Sequence, residues 1–357
     1  MKLFQQLEEF SHEQLVFAQD STIGYKAIIA IHSTALGPAV GGTRFWNYET
    51  EEDATIDALR LARGMTYKNA MAGLQLGGGK SVLIGDNRRT DREVLFRAHG
   101  RFIDGLGGRY ITAEDVGTSP ADMELIHRET RHVAGLASRN GDPSPWTARG
   151  VFRGIQAAAK YRWGSDDLAG RRIALQGLGN VGHHLARQLH QAGASLIVTD
   201  VSQNRVKRVV TELDFQAVDP ADIFSVEADI FVPCALGAVI NPETIPQLKV
   251  EIVAGAANNQ LLDAQSGDEL EDRGILYAPD YVVNAGGILS GSVDLVGWTP
   301  DFARSKVEAI YQTVLEVFEY AERENIPTYK AADRLAEQRI ALAKATPPKK
   351  ARSVPGN

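Results

Sequence analysis

Apolar residues recur along this chain at two spacings, which predict alternating helices and strands. The predicted helices, in which apolar residues return every three or four positions, cover residues 3–10, 51–63, 92–106, 147–162, 180–192, 306–324 and 329–343. The predicted strands are short apolar runs at residues 25–32, 81–84, 172–176, 195–199, 230–232, 252–254 and 275–277. Thr50 is expected to cap the helix that begins at Glu51, and Gly64 is expected to end it.

The strands of the second half are apolar at successive positions, which is typical of parallel strands that are buried on both faces. We therefore predict an α/β protein of two domains, with an N-terminal α/β domain over residues 1–140 and a C-terminal, doubly wound Rossmann domain over residues 141–327. The boundary is placed in the polar, turn-rich stretch 137–145. Residues 328–357 are expected to form a helix that packs back on the first domain and a frayed, solvated tail.

Composition limits the function classes. The 357 residues carry a net charge of −7, which opposes general attraction to nucleic acid or to an anionic membrane. The single cysteine, Cys234, cannot form an intrachain disulfide, and no apolar run reaches the ~18 residues of a membrane span. We expect a cytoplasmic globular protein without nucleic-acid or membrane partners.

A glycine-rich turn follows the strand at residues 172–176 and opens a helix. Its sequence, GLGNVG over residues 177–182, fits the dinucleotide fingerprint G-x-G-x-x-G, and Asp200 follows 23 residues after Gly177 at the end of the next strand. A carboxylate there favours NAD, since it would repel the 2′-phosphate of NADP; Arg205 and Lys207 keep NADP open as an alternative. The cofactor-binding candidates from this motif are Gly177, Gly179, Asn180, Val181, Gly182 and Asp200.

The first domain contains a lysine directly after three glycines, in the sequence GGGKS over residues 77–81. A P-loop is excluded by counting, because the position that needs its first glycine is Leu74. We expect the tight, apolar surroundings to desolvate Lys80 and lower its pKa toward that of a general base. Lys68, the pair Gly41-Gly42 and Asp115 are further candidates, although each alone also fits a surface lysine, a glycine hinge or a helix cap.

A family resemblance extends over about residues 37–337 and is carried by eight segments: GPAVGGTR, ARGMTYKNA, GGGKS, ITAEDVGT, GLGNV, PCALGAVI, AGAANNQL and YAPDYVVNAGG. In this order they resemble the Glu/Leu/Phe/Val amino-acid dehydrogenase family, most of all its leucine dehydrogenase branch, with the phenylalanine and tryptophan branches next. The resemblance implies a homo-oligomeric enzyme that uses NAD to deaminate an L-amino acid oxidatively and reversibly to a 2-oxo acid and ammonium.

The resemblance also implies roles for individual residues. Lys68 resembles the lysine that holds the substrate α-carboxylate, Lys80 the base that activates water, and Asp115 the acid that moves protons at the amino nitrogen. Gly42 and Met65 match positions that line the substrate cleft. On the cofactor side, the residues that match family positions near the nicotinamide are Thr147, Ala235, Asn258 and Asn284.

Four further positions bear on the choice of amino acid. Val40 stands where glutamate-specific relatives carry a lysine, so a second substrate carboxylate would stay unpaired in an apolar pocket. Ala113 and Ile288 match pocket positions of leucine enzymes, whereas Gly291 departs from that branch by lacking a branched side chain. We therefore expect leucine, valine or isoleucine first, and phenylalanine or tryptophan as the alternative.

Two other functional classes were weighed. A catalytically silent dinucleotide-binding regulator is disfavoured, because such a protein has no physical reason to keep Lys68, Lys80 and Asp115 together. Metal-dependent chemistry lacks support, since none of the eight histidines falls in a recognisable ligand motif. No metal is therefore expected.

Overall fold

The computed structural model describes residues 2–136, 142–213 and 215–345. The chain divides into two compact units: an N-terminal unit of Met1–Asn140 with Leu335–Asn357, and a second unit of Gly141–Arg334. Part of the predicted boundary stretch, and the frayed tail predicted beyond residue 345, lie outside the described residues. Within the described residues, no helix is both long and apolar enough to cross a membrane.

The N-terminal unit is built on a mixed sheet. Its strands, in chain order, are β1 (Gln14–Asp20), β2 (Tyr25–Ser33), β3 (Ala39–Trp46), β4 (Gly77–Ile84) and β5 (Tyr110–Glu114). Within the described residues the spatial order is β1-β2-β4-β3-β5. The pairs β1·β2 and β2·β4 are antiparallel, whereas β3 runs parallel to both β4 and β5. Strands β3, β4 and β5 therefore point the same way.

Helices cover both faces of this sheet. They are α1 (Leu3–Glu9), α2 (Glu51–Met71), α3 (Arg92–Asp104) and α4 (Pro120–His127). On one face, α2 buries Ala58, Leu59 and Ala62 against Ile28 and Val82 of the sheet. The core on the other face joins α3 and α4 to the strands, with members such as Phe45, Phe96, Tyr110, Met123 and Ile126.

The second unit contains a parallel sheet. Its strands are β6 (Arg172–Gln176), β7 (Ser195–Thr199), β8 (Gln216–Ala217), β9 (Ile230–Pro233), β10 (Ile252–Val253) and β11 (Leu276–Tyr277). All its described pairings are parallel, in the order β11-β10-β9-β6-β7-β8. The chain starts in the middle with β6, moves outward through β7 and β8, then returns to β9 on the other side. This reversal is the doubly wound Rossmann arrangement, so the predicted α/β class is confirmed.

The helices of the second unit begin with α5 (Ser144–Trp163), α6 (Asn180–Gln191), α7 (Gln203–Leu213) and α8 (Ala264–Asp272). They continue with α9 (Asp280–Val283), α10 (Gly286–Leu295), α11 (Pro300–Glu308) and α12 (Ile310–Glu324). The final described helix, α13 (Thr328–Ala345), passes from the second unit into the N-terminal unit.

Helix α2 does not end at Gly64, as the sequence suggested, but continues to Met71. An internal glycine costs a helix only about 1 kcal/mol, and residues beyond it, including Thr66, Tyr67 and Met71, are buried. Burial of that last stretch outweighs the cost of Gly64. The extension carries Met65 and Lys68 on the same helix.

The strand predicted at residues 81–84 begins earlier than expected, because the three glycines before Lys80 also belong to β4. A Cβ at Gly78 would overlap Thr66 of α2, so this strand accepts glycine where the helix crosses it closely. The strand is thus glycine-rich for packing, not for a turn.

The sequence reading missed three strands of the N-terminal unit, namely β1, β3 and β5. Strand β1 lies at the edge of the sheet and is only partly buried, and β3 contains the poor strand formers Gly41 and Gly42. The predicted helix over residues 306–324 is also two helices, since Thr299 and Pro300 start α11 earlier and the helix is interrupted at Ala309.

Candidate active site

Glycines bring β3, β4 and β5 unusually close to one another and to α2. A Cβ at Gly41 would overlap the Gly79 carbonyl oxygen and lie 3.4 Å from the Met65 Cγ. A Cβ at Gly42 would lie 2.5 Å from the Glu114 carbonyl oxygen and 2.8 Å from the Asp115 Cβ. The chain therefore requires glycine at both positions. Asp115 occupies the space beside Gly42 that a side chain at residue 42 would need.

Lys80 and Asp115 form an ion pair at this place. Lys80 is directed from the middle of β4, Asp115 follows the last residue of β5, and the Lys80 ammonium donates to Asp115 Oδ2. The side chain of Lys80 is only 6% exposed, against 21% for Asp115. The sheet register sets Ala113 opposite Gly42, so the candidate pocket residue Ala113 lies on the strand that leads to Asp115.

Burial and neighbouring charges act in opposite directions on this pair. Desolvation lowers the pKa of Lys80, the direction expected from its glycine-rich strand, and Asp115 only partly offsets the effect. Desolvation would raise the pKa of Asp115, but the positive charges of Lys80 and Arg44 outweigh it and lower that pKa. The carboxylate is thus held ionised beside an amine that releases its proton more readily than a free lysine.

Arg44 was not singled out from the sequence. Its Nε lies 3.3 Å from Asp115 Oδ2, and its Nη1 donates to Asp57 Oδ2 of α2 at 2.8 Å. Tyr48 also donates to Asp57 Oδ2, at 2.6 Å. The available signal was the strand period: Arg44 lies two residues after Gly42, and hence on the same face of β3.

The opposite face of the same strands holds a buried polar network. Its centre is His99 of α3, whose Nδ1 lies 2.8 Å from the Tyr25 hydroxyl. The His99 Nε2 contacts Thr43 Oγ1 at 3.0 Å and Ser81 Oγ at 3.1 Å. Thr112 completes the set with a 2.6 Å hydrogen bond to Thr43. One member comes from each of β2, β3, β4 and β5, so the network ties together the strands that carry Gly42, Lys80 and Asp115.

The remaining candidates of the N-terminal unit lie nearby on α2 and β3. Lys68 is half-buried three residues after Met65, so the two side chains leave the same side of α2. Val40 is almost fully buried on β3. The unit brings Gly42, Met65, Ala113 and the Lys80–Asp115 pair into one region.

The predicted dinucleotide turn has the geometry that its glycines require. Gly177 has a φ of +98°, and a Cβ there would lie 2.9 Å from the Ala235 Cβ, which places Ala235 beside the turn. A Cβ at Gly182 would overlap the Gly177 carbonyl, so α6 packs tightly on the turn. At Gly179, by contrast, a Cβ would meet no described atom within 4 Å, which leaves room for a phosphate to approach.

The N-terminus of α6 fits a dinucleotide pyrophosphate. Helix α6 begins at Asn180, and no side chain caps its first turn, which includes Val181. No side chain therefore competes with an anion for the first N–H groups of α6, as anion binding at a helix N-terminus requires. The residues present fit the cofactor that the fingerprint implies.

Asp200 is fixed at the end of β7 by backbone donors. Its carboxylate accepts hydrogen bonds from the N–H of Leu178 and of Ser202, both at 2.7 Å, and Arg205 Nη1 lies 3.6 Å from it. The carboxylate is thereby locked to the glycine turn. Its negative charge lies at the strand end where the ribose of a dinucleotide is expected.

Three polar candidates lie beyond this turn. Asn284 donates to Asn258 Oδ1 at 2.7 Å and to the Ala256 carbonyl at 3.2 Å. Its own buried Oδ1 has no hydrogen-bond partner among the described residues, so it can accept a bond from an amide group of a ligand. Thr147, near the start of α5, lies next to α10, because a Cβ at Gly287 would be 3.0 Å from Thr147 Oγ1.

The two pocket candidates of the second unit share one face of α10. Ile288 and Gly291 are three residues apart, and both are partly exposed. A Cβ at Gly291 would have its nearest described neighbour in Leu295 Cδ1, 3.9 Å away. This surface therefore has space for a larger side chain, or for a larger ligand.

The described residues give little support for metal-dependent or thiol chemistry. They contain no group of three His, Cys, Asp or Glu side chains that could hold a metal ion. Cys234 is a free thiol, and burial raises its pKa to about 12, so it is protonated at neutral pH.

Both parts of the chain match sequence profiles of known protein families. Residues 10–132 match the family profile described as "Glu/Leu/Phe/Val dehydrogenase, dimerisation domain". Residues 142–206 and 196–346 match the profile described as "Glutamate/Leucine/Phenylalanine/Valine dehydrogenase". The chain belongs to the Glu/Leu/Phe/Val dehydrogenase family. The family resemblance of the eight sequence segments is thereby confirmed.

Individual relatives of the family are similar over nearly the whole length. Leucine dehydrogenase of Geobacillus stearothermophilus is 57% identical over 343 residues, which cover 95% of this chain and 94% of the relative. Valine dehydrogenase of Streptomyces albus is 50% identical over 345 residues, with 95% and 94% covered. The crystal structure of L-tryptophan dehydrogenase from Nostoc punctiforme matches with a TM-score of 0.87 and 46% identity, covering 96% of this chain and 100% of that one.

These similarities make the protein an amino-acid dehydrogenase, an oxidoreductase that acts on a small molecule. Enzymes of this family use a nicotinamide dinucleotide, in agreement with the glycine turn of the second unit. The catalytically silent alternative is correspondingly disfavoured.

Proposed function

We propose that this protein catalyses the reversible oxidative deamination of an apolar L-amino acid, with leucine, valine and isoleucine preferred and NAD as the oxidant. The products are the 2-oxo acid, ammonium and the reduced dinucleotide. The observation that carries the proposal is the ion pair between buried Lys80 and partly buried Asp115, which supplies a base and a proton carrier beside Gly42.

The side chains of the N-terminal unit account for the acid–base steps. The ammonium of Lys68 binds the substrate α-carboxylate, and Asp115 takes a proton from the amino nitrogen. A bound nicotinamide dinucleotide would supply the acceptor for the hydride of the substrate α-carbon, and loss of that hydride from the neutral amine would leave a protonated imine on the substrate. Lys80, as the free amine, accepts a proton from the water that adds to the imine carbon. Asp115 then returns a proton to the nitrogen. As the carbon–nitrogen bond breaks, the hydroxyl group on the same carbon gives its proton to the departing ammonia, which leaves as ammonium, and Lys80 releases its proton to water.

The second unit supports NAD as the specific dinucleotide. In this proposal Gly177, Gly179 and the first turn of α6 bind the pyrophosphate, and Asp200 accepts from the ribose hydroxyls. A 2′-phosphate would meet the Asp200 carboxylate as a like charge, which disfavours NADP. Thr147, Asn258 and the unpartnered Asn284 Oδ1 are proposed to orient the nicotinamide carboxamide.

The choice of amino acid rests on four pocket residues. Val40 is buried and uncharged, so it cannot balance a second carboxylate, and this opposes glutamate. Ala113 and Ile288 are apolar, and the relatives with the higher identities above are leucine and valine dehydrogenases. The second candidate is an aromatic substrate, favoured by the open space at Gly291 and by the similarity to tryptophan dehydrogenase.

A substrate panel tests the proposal. Purified protein is mixed with NAD at alkaline pH and each of the twenty amino acids, and reduced dinucleotide is followed by absorbance. We expect turnover with leucine, valine and isoleucine, and a loss of about 100-fold or more in Lys80→Ala, which keeps its affinity for NAD. Absence of turnover with every amino acid, despite NAD binding, would overturn the proposal in favour of a silent dinucleotide-binding protein.

Assembly and location are further parts of the proposal. The N-terminal family profile is described as a dimerisation domain, which supports a homo-oligomer. The net charge of −7 supports the absence of nucleic-acid and membrane partners, and the single cysteine, which cannot form an intrachain disulfide, supports a cytoplasmic location. Light scattering during size-exclusion chromatography measures the assembly, and a mass of one chain would contradict the oligomer.

A further inference from the structure

Charged side chains of the N-terminal unit extend the Lys80–Asp115 pair into a row of alternating sign. The order is Lys80, Asp115, Arg44 and Asp57, with the Tyr48 hydroxyl donating to the far side of Asp57. The side chains of Asp115, Arg44 and Asp57 are all about equally exposed, at 21%, 22% and 23%. The row is therefore screened by water less than a surface ion pair is.

The two contacts of Arg44 differ in kind. The contact with Asp57 is an aligned hydrogen bond of 2.8 Å. The Nε is 3.3 Å from Asp115 Oδ2, yet among the described residues this Nε has no partner in hydrogen-bond geometry. Asp57 thus fixes where the guanidinium lies, and the guanidinium acts on Asp115 mainly through its charge.

We propose that Arg44 is a positioning residue for Asp115 and that Asp57, held by Tyr48, keeps Arg44 in place. The inference rests on the proposed function, in which Lys80 alternates between charged and neutral forms. When Lys80 is neutral, its attraction for Asp115 weakens. Arg44 approaches the same oxygen, Oδ2, and its guanidinium stays charged throughout the working pH range. Arg44 therefore holds the Asp115 carboxylate in place, and favours its ionised form between its own proton transfers, while the proton on Lys80 comes and goes.

The opposite charges of Arg44 and Asp57 have opposite effects on the pKa of Lys80. The titratable and charged groups that face this row come from β3, β5, α2 and the loop after β3. Arg44, Asp57, Tyr110 and Glu114 interact with Lys80 or Asp115, and Tyr48 interacts with Arg44. The positive charge of Arg44 lowers the pKa of both Lys80 and Asp115, after desolvation and their mutual attraction are counted. The negative charge of Asp57 raises the pKa of Lys80. Removal of these two charges must therefore shift the activity profile in opposite directions.

The test is the pH dependence of kcat for leucine deamination in the wild type and three variants. In Arg44→Gln we expect the pH at which kcat rises to increase by on the order of one pH unit, because the pKa of Lys80 increases when the positive charge is removed. We also expect kcat to fall by about tenfold or more, with KM for leucine changed much less. In Asp57→Asn the rise is expected to move downward by a smaller amount, because Asp57 lies one residue further along the row.

The third variant, Arg44→Lys, separates charge from shape. It keeps the positive charge but loses the fork that binds Asp57, so its profile should return toward that of the wild type while kcat recovers only in part. Arg97→Gln is the matched control, since Arg97 forms a 2.6 Å ion pair with Glu129 in the same unit. That variant should lose stability without any shift of the profile.

The outcomes distinguish this inference from the proposed function. If the wild type deaminates leucine, but Arg44→Gln and Asp57→Asn keep its profile or shift it in the same direction, the positioning role is wrong and the proposed function stands. If the wild type itself deaminates no amino acid, the proposed function fails first. Urea unfolding, measured for every variant, checks that the N-terminal unit of each protein is folded.

Discussion

Gly42 and Asp115 face each other so closely that a Cβ at residue 42 would lie 2.8 Å from the Asp115 Cβ. We therefore expect Gly42→Ala to push the carboxylate away from the Lys80 ammonium. A displacement of this size is expected to reduce kcat by on the order of 100-fold. Steady-state kinetics with leucine and NAD provide the measurement, and unchanged kcat in a folded variant would contradict the close approach.

Gly64 offers the matched control for that substitution. It lies inside α2, and a Cβ there would meet nothing within 4 Å. We expect Gly64→Ala to keep full activity and to raise the free energy of unfolding by about 0.5–1 kcal/mol, because alanine restricts the unfolded chain. Urea unfolding checks the change. A loss of stability would mean that α2 does not run through this residue.

Two buried histidines predict that acid destabilises the N-terminal unit. Burial lowers the pKa of His99 to about 3, and burial together with the nearby His12 lowers that of His32 to about 3. Below about pH 6.5 the unfolded chain binds a proton on each ring that the folded chain excludes. The free energy of unfolding should therefore fall by about 1.4 kcal/mol per pH unit for each ring between about pH 6.5 and 3, with no contribution above that range.

Urea unfolding from about pH 7 down to about pH 5 measures this slope. His99→Gln removes one titrating ring, so its stability should be lower at neutral pH but less dependent on acid, by about 1.4 kcal/mol per pH unit. Parallel slopes for the variant and the wild type would show that His99 is protonated in the folded protein.

The open side of α10 predicts a specificity change at residue 291. A valine there fits, because the nearest described atom to a Cβ is Leu295 Cδ1 at 3.9 Å. We expect Gly291→Val to fold normally and to lower kcat/KM for phenylalanine and tryptophan by about tenfold or more relative to leucine. That ratio corresponds to about 1.4 kcal/mol of steric cost in the transition state. Equal effects on aromatic and branched-chain substrates would place residue 291 outside the pocket.

Asp200 provides a test of dinucleotide choice. We expect Asp200→Ser to raise the ratio of kcat/KM for NADP over NAD by at least about tenfold, because a like charge facing the 2′-phosphate is removed. Arg205, 3.6 Å from the Asp200 carboxylate, would then be available to the phosphate. An unchanged ratio would show that the Asp200 carboxylate does not face the ribose.

The dinucleotide-binding segment of the second unit was predictable in detail because its signals are local. The turn at residues 177–182, the helix behind it and Asp200 at the next strand end all follow from spacing within about 30 residues. The N-terminal unit was less predictable, since β3 holds Gly41 and Gly42 and α2 contains Gly64, each of which lowers a local propensity. Tertiary packing decides these positions: glycine admits the close approach of strands and helix, and burial beyond Gly64 sustains α2.

In the candidate site, too, local sequence signals predicted some residues, and tertiary packing decided the others. Lys80 and Asp115 were found through their neighbours in sequence and the family resemblance, but their direct contact depends on the order β4-β3-β5, which the sequence reading did not give. Arg44 and Asp57 escaped notice because a charged residue within a strand or helix usually faces solvent. Only the sheet register and the packing of α2 set the guanidinium between two carboxylates.

The path of α13 has a consequence for synthesis of the protein. Leu335–Asn357 belong to the same compact unit as Met1–Asn140, and Arg339 donates to the carbonyls of Ala70 and Met71 at the end of α2, at 3.1 and 2.9 Å. Tyr67 likewise donates to Glu337 at 2.6 Å. As the ribosome extends the chain, all residues of the second unit are synthesised before the last helix of the N-terminal unit. The N-terminal unit can therefore complete its packing only after that helix has been made. The part of the protein made earliest is therefore the part finished last.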